Sequence, residues 1–229
     1  PVSVKKITKT TLREFGSIYW HALAGQTSFP VQTAITYKIP LIIWGAHQGM
    51  EQVGMFSHND EVQMTRRYRK EHDLMGYEAD DLVSIFDTLN LSDVWQYRYP
   101  DDYDLDRLGV KGIYLNNYFR WDPMIQHRFV INNYGFKTVS QNRTFYSHDH
   151  IDCFNYINLH DHIKFIKHGY SKVLDHVCRE IRHKRISRND GIKIVSIYQN
   201  KIPHHLKLFA EWLDIPFESL KFILKQLKN

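Results

Sequence analysis

A chain of 229 residues with 43% hydrophobic content can build one domain, or one and a half, around a real core; its two cysteines, Cys153 and Cys178, exclude a disulfide scaffold and fit a reducing cytosol. Its net charge of +5 comes from 30 basic residues interspersed with 25 acidic ones, which argues against a nucleic-acid binder and suits a protein that handles anionic ligands. No apolar run approaches the roughly 20 residues of a membrane span and no secretory pattern opens the chain, so a cytoplasmic location is expected.

In chain order, a basic start (Lys5, Lys6, Lys9) leads into a helix-like stretch over 12–20. Ala22, Leu23, Ala24, Val31, Ala34 and Ile35 then make a buried helix that feeds a strand. That strand is Leu41, Ile42 and Ile43, launched by Pro40 and stopped at Gly45. A short continuous apolar run is how a strand buried on both faces of a parallel sheet reads. In open α/β sheets ligands sit beyond the carboxyl ends of strands. His47, Gln48 and Glu51 are therefore candidate catalytic residues, with Trp44 and Gly45 beside them as substrate contacts. The alternative is an ordinary exposed turn.

Asn59 or Asp60 can cap a helix over 61–74. Its basic run, Arg66, Arg67, Arg69 and Lys70, is either a solvated face or a grip on a substrate carboxylate or phosphate. Between 76 and 110 the chain is acidic and loop-rich. Asp101, Asp102, Asp104 and Asp106 could hold a hard cation such as Mg²⁺, but they read better as the first turn of a helix, where acids complement the dipole. A second strand is expected over 110–115. Lys111, Tyr114, Asn117, Arg120 and Trp121, on that strand and the turn after it, form the opposite lip of the cleft. Pro123 suits the first turn of a helix to about 134, which Gly135 ends.

Residues 136–158 lack periodicity. His148, His150 and Cys153 are acceptable zinc ligands, but no Cys-x-x-Cys or His-Glu-x-x-His spacing accompanies them, so no metal is assigned to this chain. The last third is helical. Helices are expected over 159–168, over 171–186 with Cys178 on an apolar stripe, after a Ser187 cap, and in two short pieces broken at 214–216. Asp175, His176, Glu180 and Arg182 either orient the second of these against the cleft or form a structural ion-pair network. The fold class expected is α/β, with 1–135 as the α/β domain and 136–229 as a helical C-terminal region.

Several strings carry a family likeness. They are Ile42-Ile-Trp-Gly-Ala-His-Gln-Gly-Met-Glu-Gln-Val-Gly-Met-Phe-Ser-His58, Arg66-Arg-Tyr-Arg-Lys-Glu-His72, Gln96-Tyr-Arg-Tyr-Pro100, Gly109-Val-Lys-Gly-Ile-Tyr-Leu115 and Tyr118-Phe-Arg-Trp-Asp122. The stretch from Gly169 to Arg182 and the string Ser187-Arg-Asn-Asp-Gly-Ile192 continue it. From about 20 to 198 the chain resembles the bacterial N-acetyl sugar amidotransferases of the WbpG and PseA types, which act on lipopolysaccharide O-antigen or in flagellin pseudaminic-acid modification. The resemblance implies a fold of the PP-loop (HUP-like) ATP pyrophosphatase class, here a partial parallel sheet lacking its first strands. It also implies ATP with Mg²⁺, which adenylates the acetamido oxygen of a nucleotide-linked or acidic sugar. Ammonia from a HisH-like glutaminase, working with a HisF-like cyclase subunit, then displaces AMP to leave an acetamidino group.

The Ser-Gly-Gly-x-Asp-Ser phosphate loop of that class is nowhere in the sequence, and neither are the Cys-x-x-Cys pairs that would hold zinc in a full-length member. With the start at Pro1, the expectation is a C-terminal piece that does not turn over ATP alone. The alternatives are a non-catalytic module that docks the glutaminase and a PP-loop-related tRNA-modifying protein.

Overall fold

The computed structural model describes residues 2–45, 63–147, 153 and 155–228. His47, Gln48, Glu51, Asn59, Asp60, His148 and His150 lie outside the described residues, so the catalytic turn, the expected helix cap and the histidines of the zinc reading are not placed. The described residues form two compact units, one up to Arg120 and one from Trp121 onward.

The first unit begins with α1 (Val2–Phe15) and α2 (Trp20–Tyr37). The helix expected over 12–20 is cut in two, because Gly16 takes a φ of +69° and turns the chain out of the helix. This exposes the end of α1 and lets Trp20 start α2 from inside the core, where its indole nitrogen donates to the Tyr77 carbonyl at 2.8 Å. Around Trp20 gather Ile7, Ala24, Leu74, Leu82, Val94 and Tyr97. α2 ends at Lys38 in the left-handed conformation, with Ile39 N donating back to Ala34 O at 2.8 Å. That wrap aims the chain into β1 (Leu41–Trp44).

β1 pairs in parallel with β2 (Lys111–Tyr114), Leu41 opposite Lys111 and Trp44 opposite Tyr114. Both strands lie where the apolar runs place them, but burial on both faces is overturned: Leu41 is 47% and Ile43 61% exposed. Among the described residues, α3 (Arg66–Tyr68) covers the face of Gly112 and Tyr114, and its Tyr68 ring lies 6.3 Å from that of Tyr114. A parallel sheet is thus present, with two strands among the described residues.

The helix expected over 61–74 starts later. Gln63 bridges antiparallel to Ile113, and Thr65 caps α3 by accepting from Tyr68 N at 3.1 Å. The helix then widens into a π turn, Arg69–Asp73, before Met75 and Gly76 reverse the chain at positive φ. After α4 (Ala79–Ile85) and α5 (Leu91–Val94) comes α6 (Asp102–Leu108), opened by Asp101, whose carboxylate accepts from Tyr103 N at 2.9 Å. The acidic run is therefore a helix start.

The second unit is helical: α7 (Pro123–Tyr134), α8 (Ile157–His168), α9 (Lys172–Arg182), α10 (Arg188–Tyr198), α11 (Leu206–Trp212) and α12 (Phe217–Gln226). Pro123 opens α7 and Gly135 closes it, as expected. α9 is shorter than expected and stops at His183. It packs on α10 through Gly191, where a Cβ would lie 2.6 Å from Cγ1 of Val177, so nothing larger than glycine fits that crossing without a shift. Ser187 caps α10 by accepting from Asp190 N at 3.2 Å.

Candidate functional site

In the first unit the parallel register sets the carboxyl ends of β1 and β2 side by side. Gly45 O accepts from Leu115 N at 3.1 Å and Asn116 N at 3.4 Å, which ties the start of the β1 turn to the turn after β2. Trp44, Gly45, Tyr114 and half-buried Asn117 are thereby brought together; Lys111 and Arg120 are exposed, and Trp121 opens the other unit. The Trp44 indole crosses onto β2 at Gly112, where an added Cβ would sit 2.8 Å from its nitrogen. That nitrogen is buried and meets no hydrogen-bond acceptor among the described residues.

The basic run lies beside this face, with its charges matched inside the chain. Arg69 is fully buried: Nη1 meets Glu78 at 3.0 Å, Nε donates to Thr27 Oγ1 at 2.7 Å, and the guanidinium lies 4.8 Å from the centre of the Tyr99 ring. Arg66 bridges Glu78 at 2.9 Å and Asp102 at 3.2 Å, and Lys70 meets Asp81 at 2.8 Å. Arg67 is the solvated member, its side chain 80% exposed and 3.0 Å from Glu71.

Next to this cluster stands a carboxyl group that the pattern reading missed. Asp73 closes the π turn, and burial raises its pKa to about 6, with Arg69 opposing the rise. Tyr114 is pushed well above the usual phenol range, first by burial and then by the Asp73 charge. Nothing in the sequence distinguished Asp73 from the other charges of a polar helix, because the π turn that directs it is not a periodicity.

In the second unit, Asp175, His176 and Glu180 come together in a buried polar network on α9, while Arg182 is exposed. Thr144 Oγ1 lies 2.7 Å from His176 Nδ1, and Tyr146 donates to Glu180. Arg185 holds Glu180 at 3.0 Å and pairs with Asp122, whose own pKa is lowered by that guanidinium against the opposing effect of burial. Lys164 meets Asp175 at 2.5 Å. Buried Arg143 pairs with Asp161 at 2.6 Å, and the other Asp161 oxygen accepts from Lys172 N at 2.5 Å, so α8 supplies the cap of α9. A small pocket, lined by Gln141, Arg143, Thr144, Ile157, Asn158 and His176 among others, opens over this network. Arg143, Tyr146 and Asp161 were not singled out in the sequence; a buried pair has no signature beyond its residue types. Among the described residues no group of three or more His, Cys, Asp or Glu is arranged to hold a metal.

These observations define a mostly helical α/β chain whose second unit is a helical domain knitted by buried ion pairs. Residues 130–229, from within α7 to the end, match the family described as LPS biosynthesis protein WbpG-like, C-terminal domain. The match falls on the WbpG type that the strings resembled, in its C-terminal portion, and covers less than half of the chain. No curated protein matches the chain. No described helix is long and apolar enough to cross a membrane.

Proposed function

We propose that this chain serves the conversion of a sugar N-acetyl group to an acetamidino group in bacterial surface-glycan biosynthesis. The observation that carries the reading is the match of residues 130–229 to the WbpG-like C-terminal domain. The adjoining carboxyl ends of β1 and β2 support it, since that is where an α/β sheet receives its ligand. An amide is a poor electrophile, so the reaction needs an activated oxygen and a site that keeps water from the intermediate.

Among the described residues no glycine loop forms a phosphate cradle. The described glycines Gly109, Gly135 and Gly169 close helices at positive φ, Gly112 lies under Trp44, and Gly191 packs against α9. No step through ATP is therefore assigned to this chain. ATP with Mg²⁺, and zinc, belong to the full-length protein in this reading, as do the HisH-like glutaminase and HisF-like subunits. What these residues do is bind and orient: Trp44, Tyr114 and Asn117 on one side, with His47, Gln48 and Glu51 proposed to complete the site.

The test is genetic and chemical. His47→Ala and Glu51→Ala in the full-length protein should remove acetamidino sugars from the surface glycan, read by mass spectrometry as retained N-acetyl groups, with protein levels unchanged. Unaltered acetamidino content would overturn the reading. A second reading, a partner-docking module, is favoured by α7, which buries no residue and leaves Ile125 61% and Phe129 55% exposed. Co-purification with a glutaminase that Phe129→Glu abolishes would support it.

A further inference from the structure

The positive charge of the chain is unevenly shared. Residues 1–120 carry 13 basic and 15 acidic side chains and residues 121–229 carry 17 and 10, so the whole excess lies in the stretch that builds the helical unit. Four of those ten carboxylates, Asp122, Asp161, Asp175 and Glu180, are buried and held by Arg185, Arg143 and Lys164, which leaves few acids on the outside. A charge asymmetry of this kind between two parts of one chain marks a surface for a polyanion.

The cations are densest on the turn between α9 and α10. Arg182, Lys184, Arg185 and Arg188 stand there within seven residues, with no carboxylate among them. Arg185 is taken up by Asp122 and Glu180. Arg182, Lys184 and Arg188 are exposed, and none of the three meets a carboxylate among the described residues. The turn holds them close together: Lys184 N donates to Ile181 O and Arg185 N to Glu180 O, both at 2.9 Å. Lys184 takes a φ of +59°, a left-handed conformation that strains any residue with a Cβ and that Gly109, Gly135 and Gly169 supply at the ends of α6, α7 and α8. A lysine there keeps a charge at the tip where glycine gives the easier turn.

The side chains beside this turn decide between polyanions. On α10 an exposed isoleucine follows a cation one helical turn later, Ile192 after Arg188 and Ile197 after Lys193, and the two isoleucines are 59% and 56% exposed. Residues four apart on a helix are neighbours on its surface. Nucleic acid gains from cations but stacks its bases on aromatic rings, and aliphatic side chains offer it little. The headgroup layer of a bilayer takes cations and aliphatic side chains together, with phosphates outside and acyl chains just beneath. We propose that the α9–α10 hairpin docks peripherally on an anionic phospholipid surface, with Arg182, Lys184 and Arg188 on the lipid phosphates and Ile192 seated among the headgroups. The contact is independent of the reaction the chain serves, because its residues lie outside the β1–β2 site.

The experiment is sedimentation of the full chain with sucrose-loaded vesicles of phosphatidylcholine, with and without phosphatidylglycerol. The chain should pellet only with the anionic vesicles, and raising the salt from about 0.05 M to about 0.3 M should release it. Arg182→Gln, Lys184→Gln and Arg188→Gln together should lower binding about a hundredfold, since each basic residue at an anionic surface contributes roughly fivefold. As many changes elsewhere in the unit, Lys137→Gln with Lys225→Gln and Lys228→Gln, should weaken it less than about fivefold. Lys184→Gly removes a charge and eases the turn, so that chain should melt no lower than the parent and bind about fivefold less. Ile192→Ser should weaken binding severalfold with the charge unchanged. Equal pelleting with neutral vesicles, an equal loss in the two triple variants, or unchanged binding by Lys184→Gly or Ile192→Ser would each overturn the proposal. So would tighter binding to tRNA than to the anionic vesicles in the same buffer, which makes the turn a nucleic-acid surface. Release by millimolar pyrophosphate at constant ionic strength overturns it as well, since the turn is then a site for small phosphates.

Discussion

Asp73 and Arg69 are separated by one π turn and make opposite demands on the fold. The Asp73 carboxyl is held up to about 6 by burial, above the ordinary 3.8, so the folded state prefers it protonated. Between those two pH values the native state binds more protons than the unfolded state. Stability therefore falls as pH rises through that window and stays lowered above it. Asp73→Asn should stabilise the chain by up to roughly 3 kcal/mol above pH 7, with the gain gone below about pH 4, as measured by denaturant unfolding across pH. Arg69 is the opposite case. Arg69→Ala leaves Glu78 to Arg66 alone and removes the donors to Thr27 Oγ1 and the Tyr97 carbonyl, and should cost about 1–3 kcal/mol, whereas Arg67→Ala, on a solvated side chain, should stay within about 0.5 kcal/mol by the same measurement. The sequence offered these arginines as one basic run; which of them is spent inside depends on Glu78, Thr27 and Tyr97, far away in the chain.

At the scale of elements, α8 carries His160 and His162, whose pKa values burial lowers to about 3 and about 4, with Lys172 and Lys164 adding to the effect on His160 and Arg143 on His162. Both are neutral in the fold and would be charged in the unfolded chain below their ordinary 6.5. As pH drops from 6.5 towards 4, each should withdraw about 1.4 kcal/mol of stability per pH unit. The second unit should accordingly be acid-labile, and His160→Gln with His162→Gln should flatten the pH dependence of its thermal melting. The α9–α10 crossing is fixed by volume. Gly191→Ala forces a methyl onto Val177 and should cost about 1–3 kcal/mol, seen as a lowered midpoint in urea. Helix boundaries set by local chemistry were legible: Pro123 and Gly135 around α7, Ser187 before α10, Asp101 before α6. The π turn after Tyr68 and the late start of α3 were not, because the bridge from Gln63 to Ile113 competes with the helix for that segment.

For the whole molecule, the placement of the two strands followed from their apolar runs, and their adjacency follows the rule that parallel strands come together across a helical connection. Their burial did not follow. Apolar residues state that a face should be covered, but whether anything covers it depends on elements elsewhere, and here Leu41 and Ile43 face outward while Gly112 and Tyr114 lie under α3. The sequence by itself determined those helix ends whose caps are local, the placement of the two strands, and the likeness of the C-terminal region to the WbpG-type domain, because each is written in neighbouring residues. The tertiary structure alone decided that Asp175, His176 and Glu180 join a buried network reaching Asp122 and Thr144, and that Trp44 and Tyr114 stand opposite each other. Those partners stand tens of residues apart, and only the folded chain brings a charge to the group that answers it.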